Sequence, residues 1–314
     1  MKNRIDIALA EACKGEPSVL YEPMAYVLNA GGKRLRPILL LLSSQAAGGS
    51  VEAGFNAALA VEFLHTFTLV HDDIMDRDDL RRGLPTVHKK WDESTAILAG
   101  DGLVTLAFKT LLADGHPELL HVMKRFAEGL LILCEGQAMD KAFEVQSDVK
   151  MDDYFDMIRR KTATLLEMAC EAGAVLGDGK PETVNALAGF GHALGMAFQI
   201  QDDLLDILSD EAVSGKPTGS DITAKKKTCL SIHFREHAGE KEKKTFDGFW
   251  GRPLSRPDII RVRELFEHSG SIGFAEEAVS HWISGCLRRL GELDRTEAQG
   301  RLETVTHALM KRMA

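Results

Sequence analysis

Apolar side chains recur at spacings of three and four along residues 36–47, 51–78, 94–113, 117–143, 151–176, 181–208 and 271–289, with Ala, Leu, Met, Glu and Lys between them. That is the period of a helix, carried by residues of good helix propensity. No stretch alternates convincingly with the period of two that a half-buried strand requires. The pattern predicts an all-α fold. Gly and Pro punctuate it at "GGK", "AAGGS", "RRGLPTVH", "DGHPE", "LGDGKPE" and "SGKPTGSD", and Pro117 and Pro181 fit first-turn positions. No Ser/Gly/Pro-rich linker separates two halves, so a single domain over residues 1–314 is the simpler reading. The stretch "REHAGEKEKKTFDGFWGRPLSRPD" from Arg235 is charged and irregular, and reads as a surface connection.

With 45% apolar and 27% charged residues in 314, the chain has the means to bury a large core. Its net charge of -9 argues against nonspecific nucleic-acid binding, because most of the surface would repel a phosphate polymer. An anionic small substrate would need local basic pockets. The five cysteines form no C-x-x-C pair, so neither a zinc knuckle nor a disulfide framework is indicated, and a cytoplasmic setting is the default. "MKNRIDIALAEACKGEP" is studded with charge and does not read as a signal peptide, and the longest apolar runs are too short to span a bilayer.

Two segments carry the chemistry. "TLVHDDIMD" and "FQIQDDLLD" each deliver D-D-x-x-D from an apolar helical run. Positions i and i+4 share a helix face, so Asp72 lies with Asp76, and Asp202 with Asp206. Like charges so placed repel by a few tenths of a kcal/mol, a cost that a hard divalent cation removes, since carboxylate oxygens are what Mg²⁺ prefers. Neither motif continues into the Gly and Glu of an EF-hand loop. One isolated cluster would read as a solvated acidic helix end; two in one helical bundle would grip a diphosphate through metal.

Cations accompany them. "NAGGKRLRP" sets Lys33, Arg34 and Arg36 between a Gly-Gly turn and a helix start, where backbone amides and basic side chains together make an anion site. Acidic residues, not basic ones, suit that end of a helix dipole, which weakens the ordinary reading. Arg81 and Arg82 follow the first acidic cluster in a loop set by Gly83 and Pro85, where they could act as simple counter-charges. Lys161 and Thr162 lie in the mostly apolar "MIRRKTATLLEM", where a buried Lys needs a partner. Lys216 and Lys226 sit in polar, charge-rich stretches, and His65 and Gln199 on apolar helix faces.

Taken together, "GGKRLRP", "HDDIMD", "DLRRGLPTVH", "RRKTATLLE", "GQAMD", "FQIQDDLLD" and "GKPTGSDI" resemble the trans-prenyltransferases, the head-to-tail isoprenyl diphosphate synthases, in family order from about residue 30 to 230. The resemblance implies an all-α isoprenoid synthase-type bundle around a deep central cavity, a homodimer, and Mg²⁺ as cofactor, three ions with substrate bound. Asp72, Asp76, Asp202 and Asp206 match the metal-binding set on the allylic diphosphate, with Asp73 and Asp203 in support. Lys33, Arg36, His65 and Arg82 match the isopentenyl diphosphate pocket. Arg81, Lys161, Thr162 and Lys216 match catalytic groups around the allylic substrate, with Gln199 and Lys226 binding it. One departure is Lys225, in "GSDITAKKKT", where the family pattern has Gly.

The implied partners are isopentenyl diphosphate and dimethylallyl, geranyl or farnesyl diphosphate. Phe67 stands five residues before Asp72, about 7.5 Å along a helix axis, with Leu64 deeper and Thr68 between Phe67 and the metal. An aromatic residue at that position resembles archaeal-type short-chain enzymes, so Phe67, Thr68 and Leu64 are the chain-length candidates; ordinary core packing is the competing reading of Phe67. Geranylgeranyl diphosphate is the expected product and farnesyl diphosphate the alternative. A terpene cyclase has no second diphosphate to hold, against the basic set. A regulatory subunit could have lost ligands that are intact here.

Overall fold

The computed structural model describes residues 1–209 and 218–310, with side chains to residue 308. Its helices are α1 (Lys2–Ala12), α2 (Ser18–Asn29), α3 (Leu35–Ala46), α4 (Phe55–Asp76), α5 (Val87–Lys90), α6 (Glu93–Leu111), α7 (Leu119–Phe143) and α8 (Met151–Ile158). A π-helical turn, Arg159–Ala163, leads into α9 (Thr164–Leu176) and α10 (Pro181–Leu208). Then come α11 (Ser220–Thr223), α12 (Cys229–His237), α13 (Glu240–Asp247), α14 (Arg256–His268), α15 (Ser271–Gly291) and α16 (Glu297–Met310). Among the described residues the only strands are β1 (Leu80–Arg81) and β2 (Leu84–Pro85), paired antiparallel with Arg81 opposite Leu84. The all-α expectation holds.

Three details depart from the sequence reading. The run 151–176 is broken by the π turn. The loop after the first acidic motif folds into the small hairpin. The charged stretch from Arg235 contains a helix: Glu242 accepts from the Gly239 amide at the start of α13, and the acidic first turn suits the dipole. Phe246 anchors it, fully buried, with ring centroids 4.8 Å from Phe234 and 5.4 Å from Phe266. One aromatic residue among seven polar ones is too little periodicity to announce a helix.

The described residues form two compact units. One comprises Met1–Leu130, Met168–Ala188 and Glu292–Leu302; the other comprises Leu131–Glu167, Gly189–Gly291 and Glu303–Ala314. In the first, α4 is central. Every residue from Ala57 to Leu64 is buried, the signature of a helix enclosed on all sides, and α3 and α6 pack against it. In the second, α12 packs on α14 and α15 around the Phe234–Phe246–Phe266 cluster.

A charged residue inside the enclosed part of α4 requires a partner. Glu62 has one in Arg34, whose Nη1 lies 2.6 Å from Oε1 with both side chains only 3% exposed. The same guanidinium donates to Asp6 of α1 at 2.8 Å and to the Leu28 carbonyl of α2 at 2.6 Å. Arg34 therefore ties α1, α2 and α4 together from the left-handed N-cap of α3, at φ 52°. Its place in the basic constellation is structural. Arg34→Ala should cost about 3–5 kcal/mol in urea unfolding, because it strands a buried carboxylate. Arg4→Ala, which breaks the exposed pair with Glu52, should cost less than about 1 kcal/mol.

Candidate active site

The first acidic turn closes α4. Asp72 and Asp76 are half-buried and one turn apart, whereas Asp73 between them turns inward and is 2% exposed. Arg81 meets it, with Nε 2.5 Å from Oδ1. Burial pushes the Asp73 carboxyl up to about 6, against the pull of Arg81. The hairpin aims that arginine: Arg82 and Gly83 form its two-residue turn with φ 54° and 76°, both left-handed, as a type I′ connection demands. Arg81, expected on the allylic substrate, is thus placed on Asp73, with Asp78 3.7 Å away.

The basic residues gather at the 31–33 turn of the same unit. Arg36 Nη1 lies 3.1 Å from His65 Nε2. A guanidinium only donates, so Nε2 accepts and the neutral imidazole carries its hydrogen on Nδ1. Burial holds His65 well below its usual range, and Arg36 and Arg82 depress it further. Burial also lowers Arg36 to about 10, with Glu62 opposing and Arg82 reinforcing the fall. The Arg36 Nε is buried without a hydrogen-bond partner. Arg82 donates to the Gly31 carbonyl and packs over Gly32, next to Lys33. Arg36, His65 and Arg82 are brought together, and Lys33 is exposed on the adjoining turn.

The second unit builds its site on the π turn, a feature that often marks function in helices. The bulged backbone presses on two neighbours that have no side chain: a Cβ on Gly136 would lie 2.3 Å from the Lys161 nitrogen, and one on Gly195 would lie 2.4 Å from the Ala163 Cα. From the bulge, Lys161 Nζ reaches Asp140 at 2.6 Å, the partner a half-buried lysine needs. Thr162 donates to Gln199 at 2.8 Å, and Gln199 donates to Asp203 at 3.0 Å. Tyr154 of α8 donates to the other Asp203 oxygen at 2.7 Å. Asp203 is 5% exposed, and burial pushes it up to about 7 against these two donors. Asp202 beside it is exposed.

Asp206 behaves differently. Its carboxylate accepts from the Ser220 hydroxyl at 2.6 Å and from the Ser220 and Asp221 amides at 3.1 and 3.2 Å, which organises the start of α11. The Lys226 amide donates to the Asp221 carbonyl at 2.8 Å. Lys225 stands at φ 59°, the left-handed conformation for which glycine is suited, and its stem covers Gly251. The turn survives the replacement of Gly by Lys. Lys216 lies outside the described residues.

Along α4, Leu64 is fully buried, while Phe67 and Thr68 are half-buried. The Thr68 hydroxyl bonds back to the His65 carbonyl at 2.8 Å. Among the described residues, no three His, Cys, Asp or Glu side chains converge to hold a metal by themselves. Asp72 and Asp76 in the first unit are half-buried and Asp202 in the second is exposed, and each offers the hard carboxylate oxygens that suit Mg²⁺.

A family model described as polyprenyl synthetase matches residues 17–265, most of the chain. The chain belongs to the polyprenyl synthetase family. This synthetase is 44% identical to a geranylgeranyl diphosphate synthase of Sulfolobus acidocaldarius over 93% of the chain and 89% of that protein. It is 38% identical to a geranylfarnesyl diphosphate synthase of Natronomonas pharaonis over 95% and 91%. The solved geranylgeranyl pyrophosphate synthetase from Pyrococcus horikoshii Ot3 matches it with a TM-score of 0.93 at 38% identity, covering 98% of this chain and 96% of that one. Like these relatives it is a prenyltransferase with the isoprenoid synthase fold. No helix among the described residues is long and apolar enough to cross a membrane.

Sequence reasoning missed Asp140 and Tyr154. The unmet need of Lys161 for a counter-charge pointed to the acid of "GQAMD", and a buried tyrosine always needs a hydroxyl partner. Tyr154→Phe should cost about 1.5–3 kcal/mol, the worth of a hydrogen bond to a charged group, and should lower turnover by loosening Asp203. Urea unfolding and initial rates check both. His65, with a folded pKa below its unfolded value near 6.5, adds stability that is present above about pH 6.5 and lost as pH falls below it. His65→Gln should flatten that part of a stability–pH curve.

Proposed function

We propose that the chain joins isopentenyl diphosphate head to tail to an allylic diphosphate, dimethylallyl, geranyl or farnesyl, and that its principal product is geranylgeranyl diphosphate. The observation that carries this reading is the half-buried Arg36, whose buried Nε has no protein partner, set beside a neutral His65 and Arg82. A cation-rich cluster with an unsatisfied buried donor is complete only when an anion enters. Lys33, Arg36, His65 through Nδ1–H, and Arg82 would hold the isopentenyl diphosphate.

Asp72, Asp76 and Asp202, with Asp206 in support, would hold Mg²⁺, three ions when substrate is bound. Bound there, the metal neutralises charge on the departing diphosphate. Lys161, steadied by Asp140, and Thr162, steadied by Gln199, would stabilise the same charge as the allylic C–O bond breaks, preorganised so that little reorganisation is needed. Lys216, Lys226 and Arg81 complete the allylic site in this reading, Arg81 by way of Asp73. The isopentenyl alkene attacks the allylic carbon, and the proton then lost goes to the released diphosphate, so no dedicated carboxylate base is required. Anchoring both substrates supplies much of the remaining rate. We take both units to act as one prenyltransferase domain in a cytoplasmic homodimer.

Product length would be set on α4. Thr68 would leave room below the metal-binding turn, and Phe67, with Leu64 buried deeper on the helix, would close the space beyond it. The resemblance to a geranylfarnesyl diphosphate synthase marks the longer product as the nearest competitor.

EDTA should abolish condensation and Mg²⁺ should restore it; activity that persists in excess chelator would rule out the metal reading. Lys33→Ala and Arg36→Ala should raise KM for isopentenyl diphosphate more than for the allylic partner, whereas Lys161→Ala should lower kcat. Phe67→Ala should lengthen the product. Were Phe67 only core packing, the change would cost about 3–5 kcal/mol in stability and leave product length unaltered.

A further inference from the structure

Beside the proposed floor residue sits a histidine for which the catalytic reading has no use. His71 lies one turn above Phe67 on α4, and the two rings meet edge to face with centroids 4.8 Å apart at 69°. Its Nε2 stands 3.3 Å from the Ile97 carbonyl of α6. A carbonyl only accepts, so Nε2 carries the hydrogen and donates. Against the same ring lies Gly100 of α6, buried, where an added Cβ would fall 2.1 Å from Nε2 and 2.4 Å from Cδ2. The seat of the imidazole exists only because position 100 has no side chain.

Three contacts therefore fix the His71 ring: Phe67 on its own helix, the Ile97 carbonyl, and the backbone at Gly100. A phenylalanine on a helix chooses among staggered χ1 wells, and residues four apart compete for the same space. With His71 seated, the side of Phe67 toward the following turn is filled. With the seat empty, the phenyl ring could swing into it, and a floor that swings is open part of the time.

We infer that His71 is the positioning residue that holds Phe67 in its closed orientation, and that Gly100 admits it, so that this pair sets how sharply chain growth stops. The inference rests on the proposed role of Phe67 as the floor. His71 adjoins Asp72, so a defect in metal binding could follow its loss; that would lower kcat rather than redistribute products. Gly100 lies on a different helix from the aspartates and tests the same device from the opposite side.

The test uses the full chain with Mg²⁺, farnesyl diphosphate and isopentenyl diphosphate, with products sized by chromatography and folding followed by circular dichroism melting. His71→Ala and Gly100→Ala should each raise the share of the next longer product about two- to tenfold, the factor that corresponds to an edge-to-face ring pair. His71→Phe keeps a ring in the seat and should restore the original distribution. Phe67→Ala is the reference and should lengthen the product outright. Unchanged distributions in folded His71→Ala and Gly100→Ala, alongside a lengthened product in Phe67→Ala, would overturn the inference and leave the floor intact. An unchanged product in Phe67→Ala would remove the floor, and the brace with it. Should Gly100→Ala fail to fold, His71→Ala with its His71→Phe rescue decides alone.

Discussion

A turn of helix that carries three carboxylates must decide which way each one points, and here the decision is enforced by burying the middle one. Successive helical residues are about 100° apart, so with Asp73 turned inward Asp72 and Asp76 fall together on the adjoining, half-buried flank of the helix, and turning Asp203 inward leaves Asp202 outside. Burial works against both charges, pushing the carboxyls up to about 6 and about 7. Each is held by dedicated donors: Arg81 for Asp73, and Tyr154 with Gln199 for Asp203. The hairpin and the π turn exist around these contacts. The hairpin aims Arg81, and the π turn sets the Thr162 hydroxyl on Gln199, extending the same hydrogen-bonded chain.

This division of labour explains why the two motifs were readable and the tasks of their supports were not. D-D-x-x-D on an apolar run is a local pattern, and the i, i+4 rule assigns its faces without any tertiary knowledge. Gln199 lies one helical turn before Asp203 and Arg81 shortly after Asp73, yet nothing local says that they serve the inward carboxylates, and Tyr154, 49 residues from Asp203, is linked to it by no period at all. Fold class was likewise legible because helical periodicity is written into each segment. The helix Glu240–Asp247 was hidden because a single buried Phe246 secures it. The hairpin was hidden because two-residue strands are shorter than any alternation.

Arg34 and Arg36 show the same limit at close range. They lie two residues apart in one basic run, yet one is the buried hub of α1, α2 and α4 while the other keeps a buried Nε without a partner. The left-handed backbone at Arg34 separates their directions. The hub also takes up the charge of Glu62 through a direct ion pair, so that carboxylate offsets the burial of Arg36 only at a distance. Because Glu62, the buried acid of this cluster, is committed to a structural arginine, the neighbouring arginine is left ready for an outside anion. Net charge of -9 for the whole chain gives no hint of that local surplus.

Helix α4 couples these requirements along one axis. Its first half, Ala57 to Leu64, is enclosed on every side and cannot move without disturbing the core. Its last turn carries the outward aspartates, and Phe67 and His71 lie between. Distance from the aspartates to any closure built on this helix is therefore fixed by the 1.5 Å rise per residue and not by a loop that could flex. A change of product length by substitution must then act through side-chain volume or rotamer at a given position, since the backbone ruler stays constant. Along the same ruler the restraint also changes in kind: above Leu64 burial is no longer continuous and the helix is held at separate points, His65 by Arg36 of α3, His71 against Gly100 of α6 and Asp73 by Arg81 of the hairpin. At those points a small change in sequence can re-aim a side chain of the last turns without unseating the buried half of the helix.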